Sequence, residues 1–331
     1  MKDLFGMPRR QRLRMWLVYS VAFAAIVIGG YLLGRNVINQ PWTTRNNVGS
    51  AVIGDEIYIV GGQSQSTGML LDEVLKIDPQ RSTLRFVAHL PYNCYQPATA
   101  AFDGSLIVAG GYDGSSYRSE ILQVTPDGVR IIAELPTPRS YGAAVVIDRT
   151  LYYAGGWDGN RTLDEIVAVD LVSGATSVAD RFSFPRQFVG AVAVDGRAYF
   201  VGGEGSGAAF SDEIVEFDPA IDAIARVGRL PSGRYLTSVV PWQSGLLVFA
   251  GKNTRFLDEV VAVSLEGMDI QSEVIYTVAD LSWRLAVQTV GESIFIIGGS
   301  NPEFSRAIRF MEYIPANGEL IPYQLRGQVW K

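Results

Sequence analysis

The chain of 331 residues has one cysteine, Cys94, and one histidine, His89. A single cysteine excludes an intrachain disulfide and a multi-cysteine metal site, and a single histidine excludes copper or zinc centres that need two imidazoles. Charged residues make up only 19% and hydrophobic residues 48%, which excludes a disordered chain or a coiled coil. The net charge of −6 argues against a nucleic-acid-binding surface. We therefore expect no metal, no cofactor and no nucleic-acid partner.

Basic residues are concentrated at the N-terminus, where they precede an uncharged segment. The chain has 28 basic and 34 acidic residues, and residues 1–34 contain five of the basic residues and one of the acidic residues. Residues 35–331 therefore contain 23 basic and 33 acidic residues and have a net charge of −10. Residues 15–34 form a run of twenty residues without a charge. A helix of that length covers about 30 Å, the thickness of the hydrocarbon core of a bilayer. The segment therefore predicts one transmembrane helix.

The basic residues before this helix predict an N-terminus that stays in the cytoplasm. We expect residues 1–14 to form a cytoplasmic tail, residues 15–34 a signal anchor in the inner membrane of a bacterium, and residues 35–45 a linker. The body, residues 46–331, then lies in the periplasm or outside the cell. A cleaved signal peptide is the alternative, but its apolar region is usually about 7–15 residues long and is followed by a cleavage site of small residues. Residues 31–36 contain no such site.

The rest of the chain is a sixfold repeat. An apolar run that ends in two small residues recurs at intervals of 45–49 residues. These glycine pairs are Gly61-Gly62, Gly110-Gly111, Gly155-Gly156, Gly202-Gly203, Ala250-Gly251 and Gly298-Gly299. Six copies at a mean spacing of 47.4 residues need about 284 residues, and residues 46–331 supply 286. No second domain remains.

Each copy predicts four short strands. A turn signal such as Asp103-Gly104 or Asp195-Gly196 precedes each glycine pair and predicts a tight hairpin, because that turn needs positive φ. After the pair come a polar loop, a third strand that usually starts with an acidic residue, and a weaker fourth strand that ends before Leu-Pro or, in one copy, before Phe184-Pro185. One such sheet cannot bury both apolar faces alone, but six sheets stacked around an axis bury them against each other. The sequence predicts an all-β, six-bladed β-propeller.

This array of glycine pair, polar loop, acidic residue, apolar strand and Leu-Pro resembles the kelch repeat over residues 46–331. Kelch repeats usually carry a tryptophan in the fourth strand, seven residues before the proline, and here those places hold Leu84, Val129, Val178 and Ile224. We expect these smaller apolar side chains to remain buried. We also expect the last blade to be completed by residues 319–325 and not by residues before Asn46, because six full repeats are present without an N-terminal segment.

The upper face of this propeller carries the loops after the glycine pairs and the loops before the first strands. Sixteen residues before the glycine pair, four of the six copies hold an arginine: Arg45, Arg139, Arg186 and Arg234. Cys94 and Ser282 occupy the other two places, and Arg284 lies two residues beyond Ser282. Directly after their glycine pairs stand Tyr112 and Trp157.

Two interpretations of these arginines are open. In the structural one, each guanidinium is buried at a blade junction and paired with a glutamate at the start of the third strand. Such glutamates recur in five copies: Glu73, Glu120, Glu165, Glu213 and Glu259. In the functional one, which the kelch resemblance also implies, arginines face the channel mouth and bind an anion beside two stacking aromatic rings. The candidate ligand-binding residues are then Arg45, Arg139, Arg186, Arg234, Arg284, Tyr112, Trp157 and Glu165.

Reaction chemistry is not visible in the sequence, which contains no evident nucleophile, metal set or phosphate loop. The first hypothesis is a membrane-anchored, extracytoplasmic binding or scaffold module that takes a protein partner or an anionic carbohydrate at the channel mouth. The alternative is a sugar-active isomerase similar to the periplasmic sialic acid mutarotases, which are also six-bladed kelch-like propellers. Such a reaction needs an acid/base pair and a carboxylate clamp, which a glutamate and arginines can supply. A copper oxidase resembling galactose oxidase is excluded because it needs two histidines.

Overall fold

The computed structural model describes residues 45–65, 67–207, 209–266, 270–278, 281, 283–300, 310–323 and 325–328. The chain divides into two units, Met1–Trp42 and Thr43–Lys331, and every described residue belongs to the second. The predicted cytoplasmic tail and membrane anchor, and the linker up to residue 44, therefore lie outside the described residues. Within the described ranges, no helix is long and apolar enough to span a membrane.

All regular elements in this part of the chain are strands, and all but three of them form six consecutive four-stranded antiparallel sheets. Blades 1 and 2 contain β2 (Gly49–Ile53), β3 (Glu56–Val60), β5 (Glu73–Asp78) and β6 (Thr83–His89), then β7 (Ala98–Phe102), β8 (Ser105–Ala109), β9 (Glu120–Thr125) and β10 (Gly128–Glu134). Blades 3 and 4 contain β11 (Ala143–Ile147), β12 (Thr150–Ala154), β13 (Glu165–Asp170) and β14 (Thr176–Arg181), then β15 (Gly190–Val194), β16 (Arg197–Val201), β17 (Glu213–Asp218) and β18 (Ala223–Arg229). Blades 5 and 6 contain β19 (Ser238–Trp242), β20 (Gly245–Phe249), β21 (Glu259–Ser264) and β22 (Gln271–Thr277), then β23 (Trp283–Val290), β24 (Ser293–Ser300), β25 (Phe310–Ile314) and β26 (Glu319–Tyr323). Three short strands lie outside this pattern: β1 (Arg45–Asn46), which pairs with β4 (Gln63–Ser64), and β27 (Arg326–Gln328).

The innermost strands close a ring, which confirms the six-bladed propeller. Each packs against the innermost strand of the next blade, and β23 of blade 6 returns to β2 of blade 1. At this closure Gln288 donates from Nε2 to Ser50 Oγ over 2.8 Å. The fourth strand of blade 6 is β26, as expected for closure by the C-terminal segment. Beyond it, β27 pairs in parallel with β6 and adds a fifth strand to the outer edge of blade 1.

The hydrophobic core lies between the blades. One cluster joins Ile107 of blade 2 to Leu151 and Tyr153 of blade 3, and further clusters join each following pair up to blades 5 and 6. Another cluster joins blade 1 to blade 2 through Val74 and Leu106. Each sheet thus buries its faces against its neighbours, which is the reason that a stack of these sheets is stable.

Glycine is favoured where the blades meet, although Ala250 holds the first position of the pair in blade 5 with φ 55°. At Asp103-Gly104 both central residues have positive φ, 47° and 68°, as the predicted two-residue hairpin demands. The first glycine of a pair has a second constraint: Gly155 has φ 63°, and a Cβ there would lie 2.3 Å from the carbonyl oxygen of Arg186. A larger residue would push the next blade away.

The kelch tryptophan positions are only partly filled by buried apolar residues. Leu84 is fully buried, whereas Val178 is 43% exposed, so the expectation for that residue is wrong. In blade 3 the buried Phe182 occupies the position of Leu135 in blade 2, since both donate their backbone N–H to the carbonyl of the residue before the third strand. Pro185 therefore corresponds to the second proline of that loop in blade 2 and not to the first. Counting back seven residues from Pro185 misses the kelch tryptophan position of blade 3 by two residues.

Candidate functional site

Four arginines are buried at the junctions between blades. The side chains of Arg139, Arg186 and Arg234 have no exposed area, and Arg45 is 2% exposed. Each Nη2 lies 2.7–2.8 Å from a glutamate of the same blade; the pairs are Arg45–Glu73, Arg139–Glu165, Arg186–Glu213 and Arg234–Glu259. Each Nη1 contacts the carbonyl of the first residue of the glycine pair, at 3.2–3.5 Å. The arginines thus join the loop before the first strand to the second and third strands.

The backbone of the same arginines links each blade to the one before it. The N–H of Gly111 donates to the carbonyl of Arg139 over 2.9 Å, and the N–H of Gly156 donates to the carbonyl of Arg186 over 3.0 Å. Burial lowers the pKa of Arg186, while the hydrogen bond and charge of Glu213 act against that shift. The guanidinium stays charged, because its pKa starts above 12.

This geometry corrects the predicted anion-binding rim. Arg139, Arg186 and Arg234 do not present their Nη groups at the mouth, because glutamates and backbone carbonyls inside the protein already accept from them. A buried guanidinium needs such partners to offset its desolvation. Glu165 is the partner of Arg139, and its side chain is 13% exposed. Burial acts to raise the pKa of Glu165, but the hydrogen bond and charge of Arg139 outweigh it, and the pKa lies below its ordinary value.

Blade 2 reaches the same arrangement with two residues. Cys94 stands where blades 1, 3, 4 and 5 have an arginine, and its Sγ lies 3.6 Å from the carbonyl of Gly110. Arg118 approaches from the loop after the glycine pair; its Nη2 and Nε donate to Glu120, and its Nη1 donates to Asp113. Cys94 is fully buried, and burial raises the pKa of its thiol to about 12. The thiol is therefore a packing group and not a nucleophile.

A cavity of about 150 Å³ lies on the propeller axis at the mouth face, which we call the axial cavity. Five of the residues that line it stand two positions after the arginine position of their repeats: Asn47, Gln96, Tyr141, Phe188 and Leu236. One residue further on, all six blades contribute: Val48, Pro97, Gly142, Val189, Thr237 and Leu285. The first set has left-handed backbone, with φ between 47° and 64°. Each such residue costs roughly 1–2 kcal/mol relative to ordinary backbone, and the loop geometry holds all five in this conformation.

The walls of the axial cavity differ in chemistry from one side to the other. Asn47 Oδ1 and Gln96 Oε1 are buried and have no hydrogen-bond partner. On the other side the rings of Tyr141 and Phe188 pack with centroids 4.8 Å apart, and Leu236 continues this apolar wall. Burial, and then the neighbouring tyrosines, raise the pKa of Tyr141, so its hydroxyl stays protonated. None of the described residues that line the cavity is charged.

The other predicted site residues lie around this cavity or outside the described side chains. Tyr112 and Trp157 are half-buried, and each forms backbone bridges to the loop before the first strand. Tyr112 packs on Tyr117, which contacts Tyr141 edge-on, so an aromatic chain runs from the loop to the cavity. By the repeat, Arg284 holds the sixth position of the ring that begins with Asn47, but its side chain lies outside the described residues.

The residues that line the cavity were missed because sequence reasoning favoured the uniform arginine positions. Two residues later the repeats hold Asn47, Gln96, Tyr141, Phe188 and Leu236, five different side chains at one position. A repeat position that holds the same residue type in most blades serves the folding of each blade. A repeat position whose residue type differs from blade to blade is not fixed by folding, and its side chains can contact a ligand that lacks sixfold symmetry. Among the described residues, no group of three or more His, Cys, Asp or Glu side chains could hold a metal ion.

Comparisons with known proteins agree with the architecture. The family model described as Kelch motif matches residues 44–89 and 138–175, which lie in blades 1 and 3. The solved structure titled "Structure of YjhT" superposes with a TM-score of 0.62 at 17% identity, over 69% of this chain and 84% of that chain. Of the curated proteins, none matches the chain significantly. The described part of the chain is therefore an all-β, six-bladed propeller in which two blades match the Kelch motif. Because 621 chains of solved structures match this fold, the fold alone does not identify a function.

Proposed function

We propose that this protein is a non-catalytic binding module that receives its ligand or partner at the axial cavity. The observation that carries the proposal is the axial cavity itself, to which loops of all six blades contribute and in which the side chains at one repeat position differ from blade to blade. Ligand sites of proteins are typically concave, and a protein has few of them. The kelch propeller fold is compatible with this role.

The alternative is a sugar-active isomerase resembling the sialic acid mutarotases. Its acid/base group and carboxylate clamp would come from Glu165 and Arg139, but these two side chains are bonded to each other over 2.7 Å inside blade 3. The described cavity walls include no carboxylate, imidazole or amine that can transfer a proton. Binding without catalysis is therefore the better-supported function.

For the cellular location, we propose that residues 15–34 hold the propeller on the outer side of the inner membrane of a bacterium. The support is the uncharged run of twenty residues, preceded by five cations. Alkaline phosphatase fused after Lys331 should be active, and the N-terminal sequence of the mature protein should begin at residue 1 or 2. A mature chain that begins between Ala22 and Asn39 would replace the anchor with a cleaved signal peptide.

Saturation-transfer NMR with a mixture of extracytoplasmic metabolites tests the binding function. Full-length protein in lipid nanodiscs is compared with Val48→Phe, which narrows the cavity, and with Val178→Phe, a matched change on an outer strand. A ligand of the cavity loses its signal in Val48→Phe and keeps it in Val178→Phe. In parallel, exchange spectroscopy follows the anomers of N-acetylneuraminate, and acceleration by the parent protein that Glu165→Gln abolishes would favour the isomerase. No cavity-dependent ligand and no partner at this face would refute the binding module.

A further inference from the structure

The junction between blade 6 and blade 1 differs from the other five. At those five junctions the chain itself runs from the fourth strand of one blade to the first strand of the next. Blade 1 is built from β2, β3, β5 and β6, and blade 6 from β23 to β26, so these two blades come from opposite ends of the described chain. A covalent link keeps two neighbouring units at a high effective concentration. Blades 6 and 1 have no such link, and non-covalent contacts must hold them together.

The inner part of this junction is held by a few side-chain hydrogen bonds. Gln288 of β23 donates from Nε2 to the carbonyl and to the hydroxyl of Ser50 in β2, over 3.0 and 2.8 Å. At the mouth face, Gln65 Nε2 donates to the carbonyl of Gly299 over 2.9 Å. The innermost strands β2 and β23 pack on each other as their counterparts do elsewhere in the ring. This inner contact is therefore no more extensive than at a junction that the chain also links.

The outer part of the junction is held by backbone pairing. β27 follows β26 of blade 6 after two residues, and it pairs in parallel with β6 of blade 1. Three consecutive residues of each strand are partners: Arg326 with Thr83, Gly327 with Leu84, and Gln328 with Arg85. β27 thus belongs to blade 6 by its chain and to blade 1 by its pairing.

Other outer edges show shorter versions of this contact, in which the end of one fourth strand meets the start of the next. Between blades 2 and 3, Thr176 Oγ1 donates to the carbonyl of Glu134 over 3.1 Å. Between blades 4 and 5, Gly228 forms a single parallel bridge with Ile270. Among the described residues, the contact is a strand of three residue pairs only at the junction that lacks a chain link. The longest pairing therefore stands where the covalent connection is missing.

The same junction borders the axial cavity. Asn47 and Val48 of blade 1 line the cavity on one side of the junction, and Leu285 of blade 6 lines it on the other side. Separation of blades 6 and 1 would widen the cavity between these residues. At each other junction, the loop that links the two blades limits such a separation.

We infer that residues 326–328 form a latch that holds blade 6 on blade 1, and that the propeller ring opens at this junction when the latch is released. The inference goes beyond the proposed binding function and does not depend on it. Its consequence for that function is that the latch controls how widely the axial cavity opens between Asn47 and Leu285.

Hydrogen–deuterium exchange of the full-length protein in lipid nanodiscs, compared with a chain that ends at Leu325, tests the latch. Without β27, the amides of residues 83–85 should exchange about tenfold faster, the effect of about one net hydrogen bond. Strands β2 and β23 should also exchange faster, because the ring opens between them, whereas β11 and β15 on the far side should keep the parent rate. Thr176→Val is the matched control, since it removes an outer-edge hydrogen bond at a junction that the chain also links. In this variant β7 and β11 should keep the parent rate.

A pair of cysteines keeps the test decisive if the shortened chain does not fold. Arg85 is exposed and is the partner of Gln328 in the register, so Arg85→Cys combined with Gln328→Cys should form a disulfide within one chain on oxidation. In the oxidised form, β2 and β23 should exchange more slowly relative to β11 than in the reduced form of the same protein.

Three results would overturn the latch. Faster exchange confined to residues 83–85 would show that β27 covers the edge of blade 1 without holding the ring. An equal change in β2, β11, β15 and β23 would show that the ring has no preferred place of opening. Failure of the disulfide to form within one chain would show that β27 does not stay paired with β6.

Discussion

Arg118 supplies the guanidinium that Cys94 lacks. In blades 1, 3, 4 and 5 one arginine binds both the carbonyl of the glycine pair and the glutamate of the third strand. In blade 2 the thiol of Cys94 occupies the place beside the carbonyl, and Arg118 binds Glu120 from the loop. The carboxylate is thus satisfied in each of these blades, although the cation comes from two different positions in the repeat.

Removal of Arg118 should destabilise the protein, and an arginine at residue 94 should compensate. We expect Arg118→Ala to lower the free energy of unfolding by about 1.5–3 kcal/mol, because Glu120 and Asp113 lose charged hydrogen bonds. Cys94→Arg alone should also destabilise, since two cations then compete for one carboxylate. The double variant should be more stable than the sum of the single effects predicts, as a double-mutant cycle in urea unfolding can show. Additive effects would mean that the two positions do not share Glu120.

The buried pair Arg186–Glu213 provides a test of the structural role of the arginines. Arg186→Ala should lower the free energy of unfolding by about 3–5 kcal/mol, because it leaves Glu213 without its buried partner. Arg186→Met combined with Glu213→Leu should regain most of the loss, since neither charge then remains. Arg226 contacts the same glutamate at 3.6 Å but is 54% exposed, so Arg226→Ala should cost at most about 1 kcal/mol. Unchanged stability of Arg186→Ala would restore the ligand-binding interpretation.

The first position of the glycine pair predicts that alanine and glycine have opposite effects on stability in blades 3 and 5. Gly155→Ala should destabilise strongly, because the new Cβ would lie 2.3 Å from a backbone carbonyl that cannot move without the next blade. Ala250 holds the matching position of blade 5 with φ 55°. Ala250→Gly should raise stability by about 0.5–1 kcal/mol, since glycine adopts this backbone without strain. Calorimetry of both variants checks the signs, and a higher melting temperature for Gly155→Ala would contradict the close approach of the blades.

Acid should weaken the ion pair of Glu165. Its folded pKa lies below its ordinary value of about 4.3. A depressed folded pKa contributes stability above the unfolded pKa, and that contribution is lost as the pH falls through the folded pKa. The difference in unfolding free energy between parent and Glu165→Gln should therefore be constant near neutral pH and shrink below about pH 4. Unfolding in urea at pH values from neutral to acidic measures it, and a difference independent of pH would show that the carboxylate is not paired.

The repeat architecture could be predicted from the sequence because its signals are local. Glycine pairs, Asp-Gly turns and alternating apolar runs specify backbone conformation within a few residues, as the positive φ values of Gly155 and of Asp103-Gly104 show. Six regularly spaced copies then leave one arrangement that buries every sheet. The fourth strands carry weaker signals. In blade 3 the sequence aligned Phe184-Pro185 with the Leu-Pro pair of other blades, and that alignment was wrong by two residues.

The site was decided by the tertiary structure. Sequence spacing places an arginine at a blade junction, but it does not state whether the side chain points to the channel or into the blade. That direction follows from where the glutamates and carbonyls lie once the blade has folded, and they draw Arg139 inward. The axial cavity exists only where six loops, distant in sequence, converge. Asn47, Gln96, Tyr141 and Phe188 therefore meet only through closure of the propeller, which local signals cannot encode.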